Sequence, residues 1–413
     1  MLEDFVAPAT AQRLRSCILG SYLDPFSAGL RDLGHKLSTI RSKLWVIGDL
    51  TRWMCKKRLA VVDLDERRID EYLDARRRRD RSCRGFGPTA LRLLEQLRSD
   101  GILRRPVPAL VDSPVAALLA RYEDYLRRER ALEDGTIAAY QSFVLAFVME
   151  QVDANAAGTN SLRPGHVRAF LLTRVGRMAP RRAQFMATAL RSFLRFLFLR
   201  GETETDLACA IPRVRRWRLS SVPRYLPARD VERLLRACDC SSATGRRDYA
   251  ILLLLARLGL RASEVLALEL GDLRWRVGEI VVRGKGLVHD RLPLLSDVGK
   301  AVALYLQKDR PAAASRRVFL CRRAPHRGLG HPSTVSTIVA RALARADLAP
   351  ATRGAHLLRH SLATTMVRRG ASLSEIGQVL RHRSPNTTEI YAKVDFGTLR
   401  GVAMPWPVVR GGR

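Results

Sequence analysis

Between His356 and Tyr391 the sequence reads HLLRHSLATTMVRRGASLSEIGQVLRHRSPNTTEIY and gathers the side chains best suited to chemistry. His356, Arg359 and His360 stand at i, i+3 and i+4, so on a helix they share one face. Gly370 is placed to end that helix as its C′ residue. Ser372 and Glu375 form a capping-box pattern for a short second helix, and Ser384 before Pro385 would open a third. Tyr391 falls on that third helix, shortly after His382. Three short helices thus bring imidazoles, a guanidinium and a phenol into one neighbourhood, a set suited to chemistry on a phosphodiester. The spacing of His356 and His360 also occurs in zinc sites. Here the glutamate of HExxH is missing and Arg359 would place a fixed positive charge beside the metal, so no metal site is expected.

The segments H-x-x-R-H and L-R-H-x-S-x-x-T-T-x-I-Y resemble the C-terminal signature of the tyrosine recombinases, the phage-integrase family. Two upstream boxes extend the resemblance. LLLLARLGLRASEVLALELGDL is similar to the family's first arginine box and places the arginine at Arg261; VRGKGLVHDRLPL is similar to its lysine hairpin and places the lysine at Lys285. Four boxes in the right order are far more specific than one. The resemblance is strong over residues 225–400 and visible over 111–205.

That resemblance implies a division of labour. A phenol with its ordinary pKa of about 10 is a weak nucleophile at neutral pH. Arg261 and Arg359 would fork N–H donors onto the non-bridging phosphate oxygens, with His382 as a further donor. His356 would be the general base for Tyr391, and Lys285, on its turn, the general acid for the 5′ oxygen. Glu264 would orient Arg261, while His360 would pack or hydrogen-bond within the domain. The product is a 3′-phosphotyrosyl link that keeps the phosphodiester's free energy, so neither metal, ATP nor another cofactor is implied. The chain also lacks a G-x-x-x-x-G-K-[ST] phosphate loop. The implied function is site-specific DNA strand exchange on inverted-repeat sites by a homotetramer; integrase, resolvase and transposase all fit. A type IB topoisomerase-like nicking-closing enzyme and a non-catalytic DNA-binding relative are the alternatives, the intact set of six weighing against the latter.

The elements that must position these residues read as mainly α, with a small antiparallel sheet. Helical periodicity begins near Ser38, continues through LDERRIDEYLDARRRR, whose Arg76–Arg79 run suits a solvated helix end, and ends with a helix from Pro88 to Ser99. A Pro-rich linker spans 104–114. Four further helices over 111–205 resemble the family's helical core-binding (SAM-like) domain, and residues 1–105 read as a worn copy of it: Thr39-Ile40 parallels Thr136-Ile137, Ile69–Leu73 parallels Val167–Leu171, and Thr89–Arg92 parallels Thr188–Arg191. Residues 206–224 read as an extended basic linker in which Arg213, Arg215 and Arg216 could meet phosphates. The α+β catalytic domain follows over 225–400. In it, RRDYAILLLLARL is the buried central helix, Ser263 could cap the helix after Arg261, and a hairpin turns at Gly284-Lys285-Gly286. The tail, 401–413, carries Trp406 between two prolines.

Composition agrees. The chain has 413 residues, with 72 Lys+Arg against 40 Asp+Glu, a net charge of +32, and a surplus that large must face something anionic. No apolar run is long enough to span a bilayer, and the N-terminus has no signal-peptide pattern, so a cytoplasmic protein without a membrane partner is expected. The seven scattered cysteines read as reduced thiols.

Overall fold

The computed structural model describes residues 2–78, 85–104, 114–153, 159–212, 222–284 and 289–394. Spatial proximity divides the chain into two compact units, one of residues 104–220 and the other of residues 1–103 with 221–413.

The N-terminal part of the larger unit holds α1 (Pro8–Arg15), α2 (Leu23–Asp32), α3 (Leu37–Lys57), α4 (Glu66–Arg77) and α5 (Phe86–Ser99). The first two helices precede the expected start near Ser38. They are short, and α2 carries Pro25 in its first turn, where its missing N–H costs nothing; Leu23, Phe26 and Leu30 nonetheless supply a buried stripe. Arg76 stacks on Trp45 and Phe86 rather than facing solvent alone, and Arg77 pairs with Asp74.

The unit of residues 104–220 holds α6 (Pro114–Asp124), α7 (Asp134–Val148), α8 (Pro164–Val175) and α9 (Pro180–Leu199). Its core is aromatic, with Tyr122, Phe147, Phe170, Phe193 and Phe196 closely packed. The expected linker enters this core before it leaves: Leu207–Ala210 forms a 3-10 turn, and Leu207 and Ile211 are buried. Arg213, Arg215 and Arg216 lie outside the described residues. Ile69 and Tyr72 are buried as are Val167 and Phe170, matching the second pair of repeat segments, but Leu91 is 45% exposed where its counterpart Leu190 is fully buried.

The segment of residues 225–394, expected to be catalytic, is built on α11 (Ala243–Arg257), preceded by α10 (Ala228–Arg236). Residues Ala250–Leu255 are all buried, as a central helix requires; truncating one of these leucines to alanine would cost about 2–5 kcal/mol. After α11 come α12 (Ala262–Ala267), β1 (Leu273–Arg274), β2 (Glu279–Arg283) and β3 (His289–Pro293), an antiparallel sheet in the order β1-β2-β3. The hairpin arms close at Arg283 opposite His289; Lys285 lies outside the described residues. Then follow α13 (Ser296–Lys308), α14 (Pro332–Arg345), α15 (His356–Arg368) and α16 (Leu373–Val379). Gly370 takes φ +87 after α15, and Ser372 and Glu375 cap α16 reciprocally. Beyond Pro385 the chain makes 3-10 turns, Pro385–Thr387 and Glu389–Val394, instead of an α-helix, and Ser384 gives no side-chain cap. The tail 401–413 is outside the described residues. Among the described residues no helix is long and apolar enough to cross a membrane.

Candidate active site

Three elements converge on Tyr391. Its ring belongs to a small core with Ala363 and Val367 of α15 and Ile376 of α16, together with Leu380 and Val394. At 1% exposure the phenol is inside this core, and burial pushes its pKa up to about 12 although the charge of Arg359 pulls the other way. The hydroxyl lies 2.8 Å from Nδ1 of His360. Burial, and then the neighbouring His356 and Arg359, push that imidazole down to about 4. The neutral ring and the phenol thus share one hydrogen bond, whose direction follows the imidazole tautomer. His356 stands one turn earlier at the exposed end of the same helix face, its ring centroid 6.3 Å from that of His360.

Arg359 is 4% exposed, and its terminal nitrogens donate to the carbonyls of Gly259 and Leu380. The expected fork onto phosphate is therefore partly spent on the backbone, tying the first arginine box to α15 and α16. Burial, then Arg261 and Arg381, lower its pKa to about 10. Gly259 makes this possible: it has φ +59, and a Cβ there would stand 2.8 Å from Leu380 Cδ2.

Arg261 follows on the N-cap of α12, so Ser263 does not cap that helix. Instead Glu264 accepts the Arg261 backbone N–H at 2.8 Å and its guanidinium at 2.5 Å. The Glu264 carboxylate is 3% exposed. Burial alone would raise its pKa, but the Arg261 N–H and the charges of Arg381 and Arg261 outweigh it and hold the group ionised. The placement agrees with an orienting role for Glu264.

One residue escaped the sequence reading. Arg381 takes a left-handed φ of 54 and donates to Glu264 at 2.8 Å, sharing that carboxylate with Arg261. His360, expected to pack or hydrogen-bond within the domain, hydrogen-bonds the Tyr391 hydroxyl. No spacing signal marks Arg381, because its position depends on a backbone turn and a partner 117 residues away. His382 is fixed by Nδ1 at 2.8 Å from Thr388 Oγ1, with its ring parallel to that of Tyr391. Burial, then Arg359, Arg261 and Arg381, push it down to about 4.

The structure thus brings Arg261, Glu264, His356, Arg359, His382 and Tyr391 together. Two guanidiniums, Arg261 and Arg381, pair with one buried carboxylate, Arg359 lies near enough to feel all three charges, and Asp290 stands at the rim 3.9 Å from Arg381. Such a site is short of negative charge and suits an oxyanion.

Comparison with known proteins agrees with this geometry. Residues 224–397 match the phage integrase family, and residues 119–201 match its N-terminal SAM-like domain. The Sinorhizobium fredii protein y4rA, named as an integrase/recombinase, is 42% identical over 393 residues, covering 94% of each chain. The tyrosine recombinase XerD of Listeria monocytogenes is 29% identical, covering 69% of this chain and 96% of its own. The crystal structure of a lambda integrase tetramer bound to a Holliday junction shares the fold at TM-score 0.51 and 18% identity, over 76% of this chain and 87% of that one. The chain belongs to the phage integrase family and is a tyrosine recombinase.

Proposed function

We propose that Tyr391 is the nucleophile of a site-specific strand exchange between DNA duplexes. The observation that carries this reading is the buried phenol hydroxyl, hydrogen-bonded to an imidazole beside guanidiniums that outnumber their carboxylates. The Tyr391 oxygen attacks the scissile phosphorus and passes its proton to the His356–His360 pair, with His356 as the base that faces solvent. Arg261, Arg359 and His382 take the non-bridging oxygens. The bond to the 5′ oxygen breaks, Lys285 protonates that oxygen, and a 3′-phosphotyrosyl link remains. A hydroxyl from the second duplex reverses the same steps, so the energy stays in the link and no cofactor takes part.

Exchange of two duplexes uses four such sites, hence four chains on paired inverted repeats; the likeness to a lambda integrase tetramer bound to a Holliday junction supports the number four. We assign the protein to cytoplasmic DNA, with Arg213, Arg215 and Arg216 on phosphates and residues 111–205 and 225–400 as its DNA-engaging domains. The full-length relatives named recombinase support strand exchange over simple nicking and closing.

The test is Tyr391→Phe on a nicked site that traps the covalent complex. The variant loses one oxygen and little surface, so DNA binding should stay within about twofold while the adduct disappears from a denaturing gel. An adduct formed by the variant would remove Tyr391 from this role.

A further inference from the structure

Most described cations of the N-terminal helices have a carboxylate. Arg15 pairs with Glu3 and Asp24, Arg31 with Asp4, Arg68 with Glu71 and Arg98 with Glu66. A different set does not. His35 between α2 and α3, Lys43 on α3 and Arg92 on α5 come together with His326 and Arg327 of the catalytic segment. Among the described residues none of these five forms an ion pair.

The approach is close. Gly34 has φ +79, and a Cβ there would stand 2.6 Å from His326 Cδ2, so the imidazole lies directly against the glycine turn. His326 is fixed by Nδ1 at 3.0 Å from the Cys321 carbonyl, and Lys43 Nζ lies 3.3 Å from Thr89 Oγ1. Nε2 of His35 is buried without a hydrogen-bond partner. Burial, followed by the neighbouring cations, lowers the pKa of His35, Lys43 and Arg92 alike. A half-buried seam of one charge sign with an orphaned ring nitrogen is unfavourable alone, and an oxyanion corrects both faults. It accepts hydrogen bonds from the ammonium, the guanidiniums and an imidazole N–H, and it cancels the repulsion of the cations.

We propose that the seam joining His35, Lys43 and Arg92 to His326 and Arg327 is a phosphate site, filled by a backbone phosphate of the DNA bound by the enzyme. DNA would then fasten the N-terminal helices to the catalytic segment, giving residues 1–105 a role apart from the chemistry. The choice of DNA as the phosphate source rests on the function proposed above; the anion site itself does not.

The full-length protein and its Lys43→Gln/Arg92→Gln and Lys43→Arg/Arg92→Lys variants separate these points. In the first arm, thermal unfolding is followed as inorganic phosphate replaces chloride at constant ionic strength. Phosphate should raise the wild-type Tm by several degrees and leave the glutamine variant unmoved, whose Tm in chloride should already be higher because the repulsion is gone. In the second arm, the slope of log K against log salt on duplex DNA should shrink by about 0.9 for each phosphate that is no longer neutralised, with affinity down about tenfold and restored by the Arg/Lys variant. Equal phosphate shifts in wild type and glutamine variant, or none in either, would overturn the site. A phosphate shift abolished by the glutamines with an unchanged DNA slope would overturn DNA as the source and leave a free-anion site. If the wild type did not bind DNA, the function above would fail while the first arm still decided the seam.

Discussion

Burial raises the Tyr391 phenol to about 12 and lowers the His360 imidazole to about 4, so at neutral pH both partners of the 2.8 Å hydrogen bond are uncharged. His360 then fixes the hydroxyl of Tyr391, the proposed nucleophile, which makes it a positioning residue. His360→Phe keeps the ring's bulk and removes the hydrogen-bond partner, whereas His360→Asn can return a polar atom near the Nδ1 position. The Phe variant should form the covalent adduct about tenfold or more slowly at unchanged DNA affinity, and the Asn variant should recover most of the rate. Adduct yield against time on the nicked substrate measures this; an unchanged or faster rate with Phe would show that the imidazole only packs. The sequence displayed His356, Arg359, His382 and Tyr391 because their helical and motif spacing survives in one dimension. It concealed the partnership of His360, since the i, i+3, i+4 pattern places two histidines on one face without saying which reaches a residue on another element. Arg381 was hidden for a stronger reason, its left-handed backbone having no local signature.

At the scale of elements, α15, α16 and the 3-10 turns act as one titrating block around Arg359. His360 and His382 both sit in it with pKa values near 4, whereas an unfolded chain binds a proton on each near the ordinary 6.5. Above about pH 6.5 neither state is protonated and the block's stabilisation is complete. Between about 6.5 and 4 the unfolded state holds more protons than the folded one, so stability must fall as the pH falls. His35, also lowered by burial, contributes in the same direction. The Tm should therefore drop on going from pH 7 to 4.5, and the double variant His360→Asn/His382→Asn should flatten that slope whatever its absolute Tm. A slope equal to the wild type's would mean the imidazoles titrate normally. Helices with long apolar periods, such as α3, α9 and α11, were legible from sequence alone. The N-cap of α12 was misplaced by two residues, at Ser263 instead of Arg261, because the Glu264 carboxylate reaching back to the Arg261 N–H outweighed the serine cap. The turns after Pro385 came out as 3-10 because so short a segment takes its form from packing Tyr391 and Val394 against α15, not from helix propensity.

For the whole molecule, what matters most is the segment that follows Tyr391, the proposed nucleophile. Tyr391 lies on the turn Glu389–Val394, so any force on the following segment is transmitted to the turn that carries the hydroxyl. That segment contains Val402, Met404, Trp406 and Val408 among prolines. Trp is a frequent anchor in interfaces, and proline lowers the entropy lost when a segment docks. We expect the tail from about Gly401 to dock on a neighbouring catalytic domain, coupling the state of one Tyr391 to the presence of the next chain. Truncation after Arg400 should leave binding to a single half-site within about twofold, since it removes only Arg410 and Arg413 among the basic residues. It should weaken cooperative occupation of paired sites by about tenfold or more and abolish strand exchange, while cleavage of the nicked substrate by a single bound chain persists. Native gels and light scattering on paired and single sites distinguish these outcomes. Unchanged assembly on paired sites would assign the tail no docking role, and the interactions that hold four chains together would then have to come from the folded domains themselves.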